Sequence, residues 1–306
     1  MAKNKKNISR EAEASEGNRA INKFRIGDVV MMAVIVILCL TCVLPFINLA
    51  AKSISSNSAV LSRSVFLIPK EITLDAYASL FRDGSMVYAM GYSVVVTAIF
   101  TLLGMIVCTC AAYPLSKRRL KGRSVLTFLL MFPMYFSAGL IPTYLLMKDL
   151  HLLDNMWVLI LPLIYSPYNM LIMKTYLQSS IPDSLEESAF LDGASNFQIL
   201  WKIVMPLSKP IIATLSLFYA VGRWNSYADN MYYIQSNSLK MAQYRLSQMV
   251  SSAAESQTTA LSEAAAVTST PEVLQAASIM FVTIPVICIY PFVQKYFVKG
   301  VMIGAV

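Results

Sequence analysis

Two adjacent carboxylates, Glu186 and Glu187, could divide acid and base work between them, as in a protease acting inside a membrane. They stand in a polar stretch with no Arg or His beside them to complete such a site. Cys39 and Cys42 have the spacing of a redox or metal pair, but no second pair accompanies them and His151 is the only histidine. All five cysteines (Cys39, Cys42, Cys108, Cys110 and Cys288) fall in apolar runs, where buried thiols acting as small apolar side chains are expected. No Gly-x-x-x-x-Gly-Lys-Ser/Thr run occurs, so ATP is not expected to bind this chain through a P-loop. Energy for any transport would come from a partner or an ion gradient.

A second chemical cluster lies at Arg223, Trp224, Asn225, Tyr227 and Asp229. Hydrogen-bonding groups beside flat rings suit a sugar path, and Arg223 would suit an anionic sugar. The competing reading is an aromatic belt at a membrane interface with a snorkelling arginine. Tyr165, Ser166, Tyr168 and Asn169, with Tyr135 and Ser137, are further polar candidates inside apolar runs. Such residues are costly in hydrocarbon and mark pathways, although many serve only to join helices.

The elements that hold these residues are read from composition. Of 306 residues, 57% are apolar and 14% charged, and the mean hydropathy is +0.58. A soluble domain averages about a quarter charged residues. Six spans are expected, over 29–51, 92–115 within the uncharged stretch 85–116, 124–147, 155–173, 208–227 and 275–293. Each meets or approaches the roughly 20 apolar residues that cross a bilayer. The fifth is short, and five spans with a re-entrant segment is the alternative. The expected fold is therefore all-α, a polytopic bundle of six transmembrane helices.

Charge sets orientation. The net charge of +8 comes from Lys and Arg in the arm 1–27, in Lys117, Arg118, Arg119, Lys121 and Arg123, and in Lys295 and Lys299. These edges of apolar runs fit positive-inside anchoring to membrane lipid better than nucleic-acid binding. Both termini are then expected in the cytoplasm. The chain divides into the N-terminal arm 1–27, a six-span domain 28–298 and a tail 299–306. Within the domain lie a cytoplasmic connection 178–207 and an outer loop 225–272. The part 249–270 is rich in Ser, Ala, Thr and Glu and is expected as a loose surface helix or loop. The polar arm precedes a run long enough to span, so a cleavable signal is not expected.

The connection has the grammar of two short helices and a sharp turn. Asp183 is expected to cap the first, with Glu186 three residues on. Gly193 suits a left-handed residue after it. Ser195 and Gln198 form a second capping pair, Pro206 interrupts the second helix and Pro210 suits the first turn of the next span.

The order Glu187-Ser188-Ala189, three residues, Gly193, nine residues, Ile203, one residue, Met205-Pro206 resembles the EAA signature of ABC importer permeases. Ser188 stands where that family usually has Ala, and Met205 where it has Leu. The wider chain resembles the carbohydrate permeases of the maltose-permease class, in the subgroup for complex oligosaccharides. Ile181-Pro182, Leu191-Asp192-Gly193-Ala194, Met205-Pro206-Leu207-Ser208-Lys209-Pro210, Trp224-Asn225 and the segment 290–304 carry that likeness.

The resemblance implies a non-catalytic subunit of an importer working by ATP-driven alternating access in the bacterial plasma membrane. It implies a second permease (a heterodimer), two cytoplasmic ATPase subunits that hold the ATP and Mg, and an extracytoplasmic solute-binding protein. No cofactor or metal is expected on this chain. Glu186, Glu187, Ser188, Ala189, Asp192, Gly193, Ala194 and Pro206 would form the ATPase-coupling element. The alternatives are an ABC permease for another solute class and an ion-coupled secondary transporter.

Overall fold

The computed structural model describes residues 26–259 and 271–301. The arm expected before residue 26, the end of the serine-rich segment over 260–270 and the tail over 302–306 lie outside the described residues. Among the described residues the fold is all-helical, with one isolated antiparallel bridge between Ser55 and Ile72.

Helix α1 (Ile26–Ser53) leads by a short α2 (Asn57–Leu61) and α3 (Asp75–Asp83) into the long α4 (Ser85–Ser116). Gly84, in the left-handed region at φ 67°, both ends α3 and begins α4. Helix α5 (Arg123–Met131) passes through a 3₁₀ turn (Phe132–Met134) to α6 (Leu140–Asp149). Two 3₁₀ turns (Met156–Leu159, Leu161–Leu163) precede α7 (Pro167–Ser180). Then come α8 (Asp183–Leu191), α9 (Asn196–Ile199), a π turn (Leu200–Val204) and the short helix Met205–Leu207. The chain ends with α10 (Lys209–Asn225), α11 (Ala228–Tyr233), α12 (Ala242–Thr259) and α13 (Pro271–Val301).

Among the described residues three helices are long and apolar enough to cross a membrane, within Gly27–Ser53, Ser85–Ser116 and Pro271–Ile289. The number reaches five if each of two bent pairs is one span: Met156–Leu163 with Pro167–Ser180, bent by 50°, and Asn196–Leu207 with Lys209–Asn225, bent by 83°. The segment 124–147 is not the continuous helix expected from its hydropathy. Pro133 lacks an amide hydrogen, and Gly139 sits at φ 87°, so the backbone breaks between α5 and α6. Likewise 155–173 is not one helix: two 3₁₀ turns, Met156–Leu159 and Leu161–Leu163, precede α7, which starts at Pro167.

The core sits where α4 meets α7 and α10. Val96, Phe100, Cys108, Ala112, Met170, Met173, Leu215 and Tyr219 are buried there together. Gly104 permits the closest approach, because a Cβ on it would lie 2.8 Å from Cε1 of Tyr219. Helix α13 packs on α1, α12, α10 and α3. By contrast α1 is exposed from Val29 to Ile47 and is held only at its far end, where Ala51 joins Val60, Val65 and Val273. Of the five thiols only Cys108 is buried; Cys39, Cys42, Cys110 and Cys288 face outward, correcting the expectation that all five are interior. Their helices turn those faces away from the core.

Candidate functional site

The connection 178–207 folds as a helical hairpin, and its local chemistry explains why. Ser195 accepts from the Gln198 amide while Gln198 Oε1 accepts from the Ser195 amide at 2.8 Å, a reciprocal capping box that starts α9. Gly193 turns the chain at φ 80°, where a side chain would be strained although nothing lies within 4 Å of its Cβ position. The Gly193 and Ala194 amides donate back to the Phe190 and Ala189 carbonyls and satisfy the end of α8. Asp183 is not the cap expected of it. Pro182, in extended backbone, takes that position, and Asp183 is the first helical residue, where its charge meets the positive end of the helix dipole. Beyond α9 the chain enters the π turn at Leu200, six residues before Pro206, and the 83° bend follows at Ser208.

One face of the hairpin is tied to the end of α4. The buried Lys117 ammonium donates to the Glu186 carboxylate and lies 4.9 Å from the Tyr113 ring centroid. Arg119 stacks 4.3 Å from the Phe190 ring centroid and donates to Asn196 Oδ1 at 2.9 Å. Gln178 Nε2 donates to the Ser116 carbonyl at 3.3 Å. Ala189 is buried on the same side. Glu186 therefore faces into the protein and is not available to a partner.

The other face is open. Glu187, Ser188, Asp192, Gly193 and Pro206 are exposed, and Ala194 is half-buried. The Ser188 hydroxyl donates to the Ser184 carbonyl at 2.9 Å, so it presents a small, internally satisfied surface. Leu191 is 90% exposed and Phe197 70%, with Trp201 6.1 Å from Phe197, ring to ring. Sequence reasoning did not single out these three apolar side chains. Spacing did not mark them, since Ile181, Ile199 and Val204 of the same connection are buried in the core.

At the opposite end of α10 the second cluster divides. Arg223 is 1% exposed. It donates to the Asp229 carboxylate and, at 2.8 Å, to the Leu159 carbonyl; Ser226 Oγ donates to the other Asp229 oxygen at 2.8 Å. Its burial overturns the snorkelling reading of Arg223, and Asp229 neutralises its charge. Asn169, also buried, shares with Arg223 a cavity of about 210 Å³ that Phe100, Tyr219 and Gly222 also line.

Ser166, another candidate from the sequence, lines that cavity too, whereas the other candidates do not join it. Trp224 packs elsewhere, against Leu80, Met86 and Val282. Tyr165 donates to the Leu130 carbonyl at 2.8 Å, which makes it a helix tie. Asn225 donates to the Val221 carbonyl in its own helix at 3.0 Å, and Tyr168 and Tyr227 are exposed. Tyr135 and Ser137 lie exposed in the break between α5 and α6. Tyr219, one helical turn before Arg223, is among the cavity residues that sequence reasoning missed, with Phe100, Phe218 and Ser226.

A helical membrane chain with a capped hairpin at one end of its core defines a class, and comparison with known proteins names it. Residues 101–303 match the family described as the binding-protein-dependent transport system inner membrane component. The chain belongs to this family, a membrane permease component that is not itself a catalyst. It is 42% identical over 285 residues to the polygalacturonan/rhamnogalacturonan transport system permease protein YtcP of Bacillus subtilis, covering 93% of this chain and 99% of that one. It is 41% identical over 266 residues to protein LplC of the same organism, covering 86% and 89%. Among solved structures it is similar, with a TM-score of 0.81 and 34% identity over 89% of this chain and 97% of that one, to a bacterial ABC transporter involved in the import of the acidic polysaccharide alginate.

Proposed function

We propose that this chain is one of two permease subunits in an ATP-driven importer that carries a saccharide inward by alternating access. Six spans hold both termini on the cytoplasmic side, with the broken segment 123–149 counted as one span. The hairpin then faces the cytoplasm and takes one of two ATPase subunits, which hold ATP and Mg. A second permease completes a heterodimer, and a solute-binding protein delivers the saccharide at the outer face.

The observation that carries this reading is the two-sided hairpin. One face is anchored to α4 by the buried Lys117–Glu186 pair, and the other presents Leu191 at 90% exposure beside Glu187 and Ser188. Burying one leucine side chain contributes about 1.5–3 kcal/mol to docking. A rigid hairpin fixed to a long core helix converts closure of two ATPases into movement of that helix. The chain's likeness to a polygalacturonan/rhamnogalacturonan permease and to an importer of alginate supports a saccharide as cargo.

Purification from membranes through a tag on this chain tests the assignment. A P-loop ATPase co-purifies with the parent chain, and Leu191→Asp or Glu187→Lys releases it. Gly193→Val, strained at φ 80° by about 1–2 kcal/mol, leaves the chain inserted but lowers transport per ATP hydrolysed. A single subunit whose uptake follows a proton or sodium gradient contradicts the proposal.

A further inference from the structure

Lys174 is 8% exposed, within α7, and no acidic side chain pairs with it among the described residues. Its hydrogen bond is a long one, 3.4 Å to Thr127 Oγ1. A buried ammonium without a counter-charge is unfavourable, and inside a membrane protein such a group marks a ligand or ion path. Lys174 lines a cavity of about 700 Å³ between α5 and α7, and Arg123, a second cation without an acidic partner among the described residues, lines it too. Arg123 also borders a cavity of about 500 Å³ at the hairpin end, lined by Arg118 and Lys117 and by the acid Asp183.

The rest of the lining selects among anions. Arg123, Thr127 and Met131 are spaced four residues apart and form a stripe along roughly 12 Å of α5. Ser124 and Phe128 flank it, and Tyr135 continues it past the helix break. Hydroxyls and a ring face beside paired cations match a pyranose that bears a carboxylate. A phospholipid phosphate needs the cations but not the hydroxyls. Arg223 cannot serve the same anion, since Asp229 already pairs with it.

We propose that the cavity between α5 and α7 binds the carboxylate of an acidic saccharide through Lys174 and Arg123. This rests on the reading of the chain as a saccharide permease. It makes the cargo a uronate-type saccharide and gives the inner part of its route a charge filter.

The test uses the assembled importer in lipid vesicles, with ATP-driven uptake of a galacturonate oligomer measured against a neutral galactose oligomer of equal length. The parent complex favours the acidic oligomer. Lys174→Met and Arg123→Gln each lower the acidic-to-neutral ratio about tenfold or more, as expected for a lost charge-assisted contact, while Lys174→Arg largely keeps it. A ratio unchanged in Lys174→Met, or a parallel fall in both uptakes, overturns the proposal in favour of a structural lysine or one paired with an acid of the second permease. Uptake of both oligomers that depends on anionic phospholipid, a dependence lost in Lys174→Met, overturns it in favour of a lipid site. If the parent takes up the neutral oligomer alone, this proposal fails and the saccharide reading stands. If it takes up neither, the saccharide reading itself fails.

Discussion

The Lys117 ammonium and the Glu186 carboxylate, 69 residues apart in sequence, form a buried ion pair that fastens the end of α4 to the middle of α8. It joins the longest core helix to the hairpin α8–α9. Arg119, on Phe190 and Asn196, repeats the connection one turn away. In the proposed importer this is how force applied at Leu191 and Glu187 reaches the core.

Removing either partner of that pair therefore leaves a buried charge unmatched. Glu186→Gln or Lys117→Met costs about 3–5 kcal/mol if the site stays dry, whereas the double change Lys117→Met/Glu186→Leu recovers most of it. Thermal unfolding of the purified complex measures the stability difference. Uptake per ATP hydrolysed measures coupling, and the single variants are expected to lower it.

The Arg223–Asp229 pair locks the other end. Arg223→Met leaves Asp229 buried beside the Leu159 carbonyl, and the expected loss is again about 3–5 kcal/mol. Arg223→Met/Asp229→Leu should be closer to the parent than either single variant. A double-mutant cycle on melting temperature reads the coupling, which is nil if the two groups act independently.

The seam between α4 and α10 predicts a packing effect. Gly104→Ala places a methyl 2.8 and 2.9 Å from two atoms of the Tyr219 ring, and Phe100 stacks on that ring edge-on at 5.7 Å. With the ring hemmed in, the expected cost is about 1–3 kcal/mol, and Tyr219→Leu in the same chain should relieve it. Equal stability of Gly104→Ala and the parent in a detergent melt would show that the helices separate freely.

Acid should loosen the loop around Ser236. The Asp154 carboxylate accepts the Ser236 hydroxyl and the Gln235 and Ser236 amides, at 3.0 and 2.8 Å for the amides. These bonds, the Ser236 hydroxyl foremost, hold its pKa below the usual 3.8. A lowered folded pKa stabilises the loop fully above the ordinary carboxylate value. The gain is lost as pH falls below that value and through the folded one. Hydrogen exchange at Gln235 and Ser236 should accelerate in that window, and Asp154→Asn should remove the pH dependence.

Local features were legible in the sequence. The uncharged stretch 85–116 is α4, and the Ser195–Gln198 box and the turn at Gly193 depend only on neighbours in the chain. Hydropathy could not see the break between α5 and α6, because apolar side chains continue across Pro133 and Gly139 while the backbone does not. Nor could spacing show that Glu186 turns inward. Its partner comes from another helix, and only packing brings Lys117 to it. Arg223 and Asp229 stood in one sequence cluster, yet their burial depends on α10 and the 3₁₀ turn at Leu159 meeting in space. Lys174 gave no signal, since an ammonium near a span end reads as an anchor until its burial is known.

Uptake in sealed vesicles holding the purified complex tests the central claim most directly. With the solute-binding protein and a labelled saccharide outside and ATP supplied to the ATPase side, uptake should require ATP, persist when ionophores collapse proton and sodium gradients, and fall in Leu191→Asp. Uptake that continues without ATP and stops with the ionophores would contradict the account.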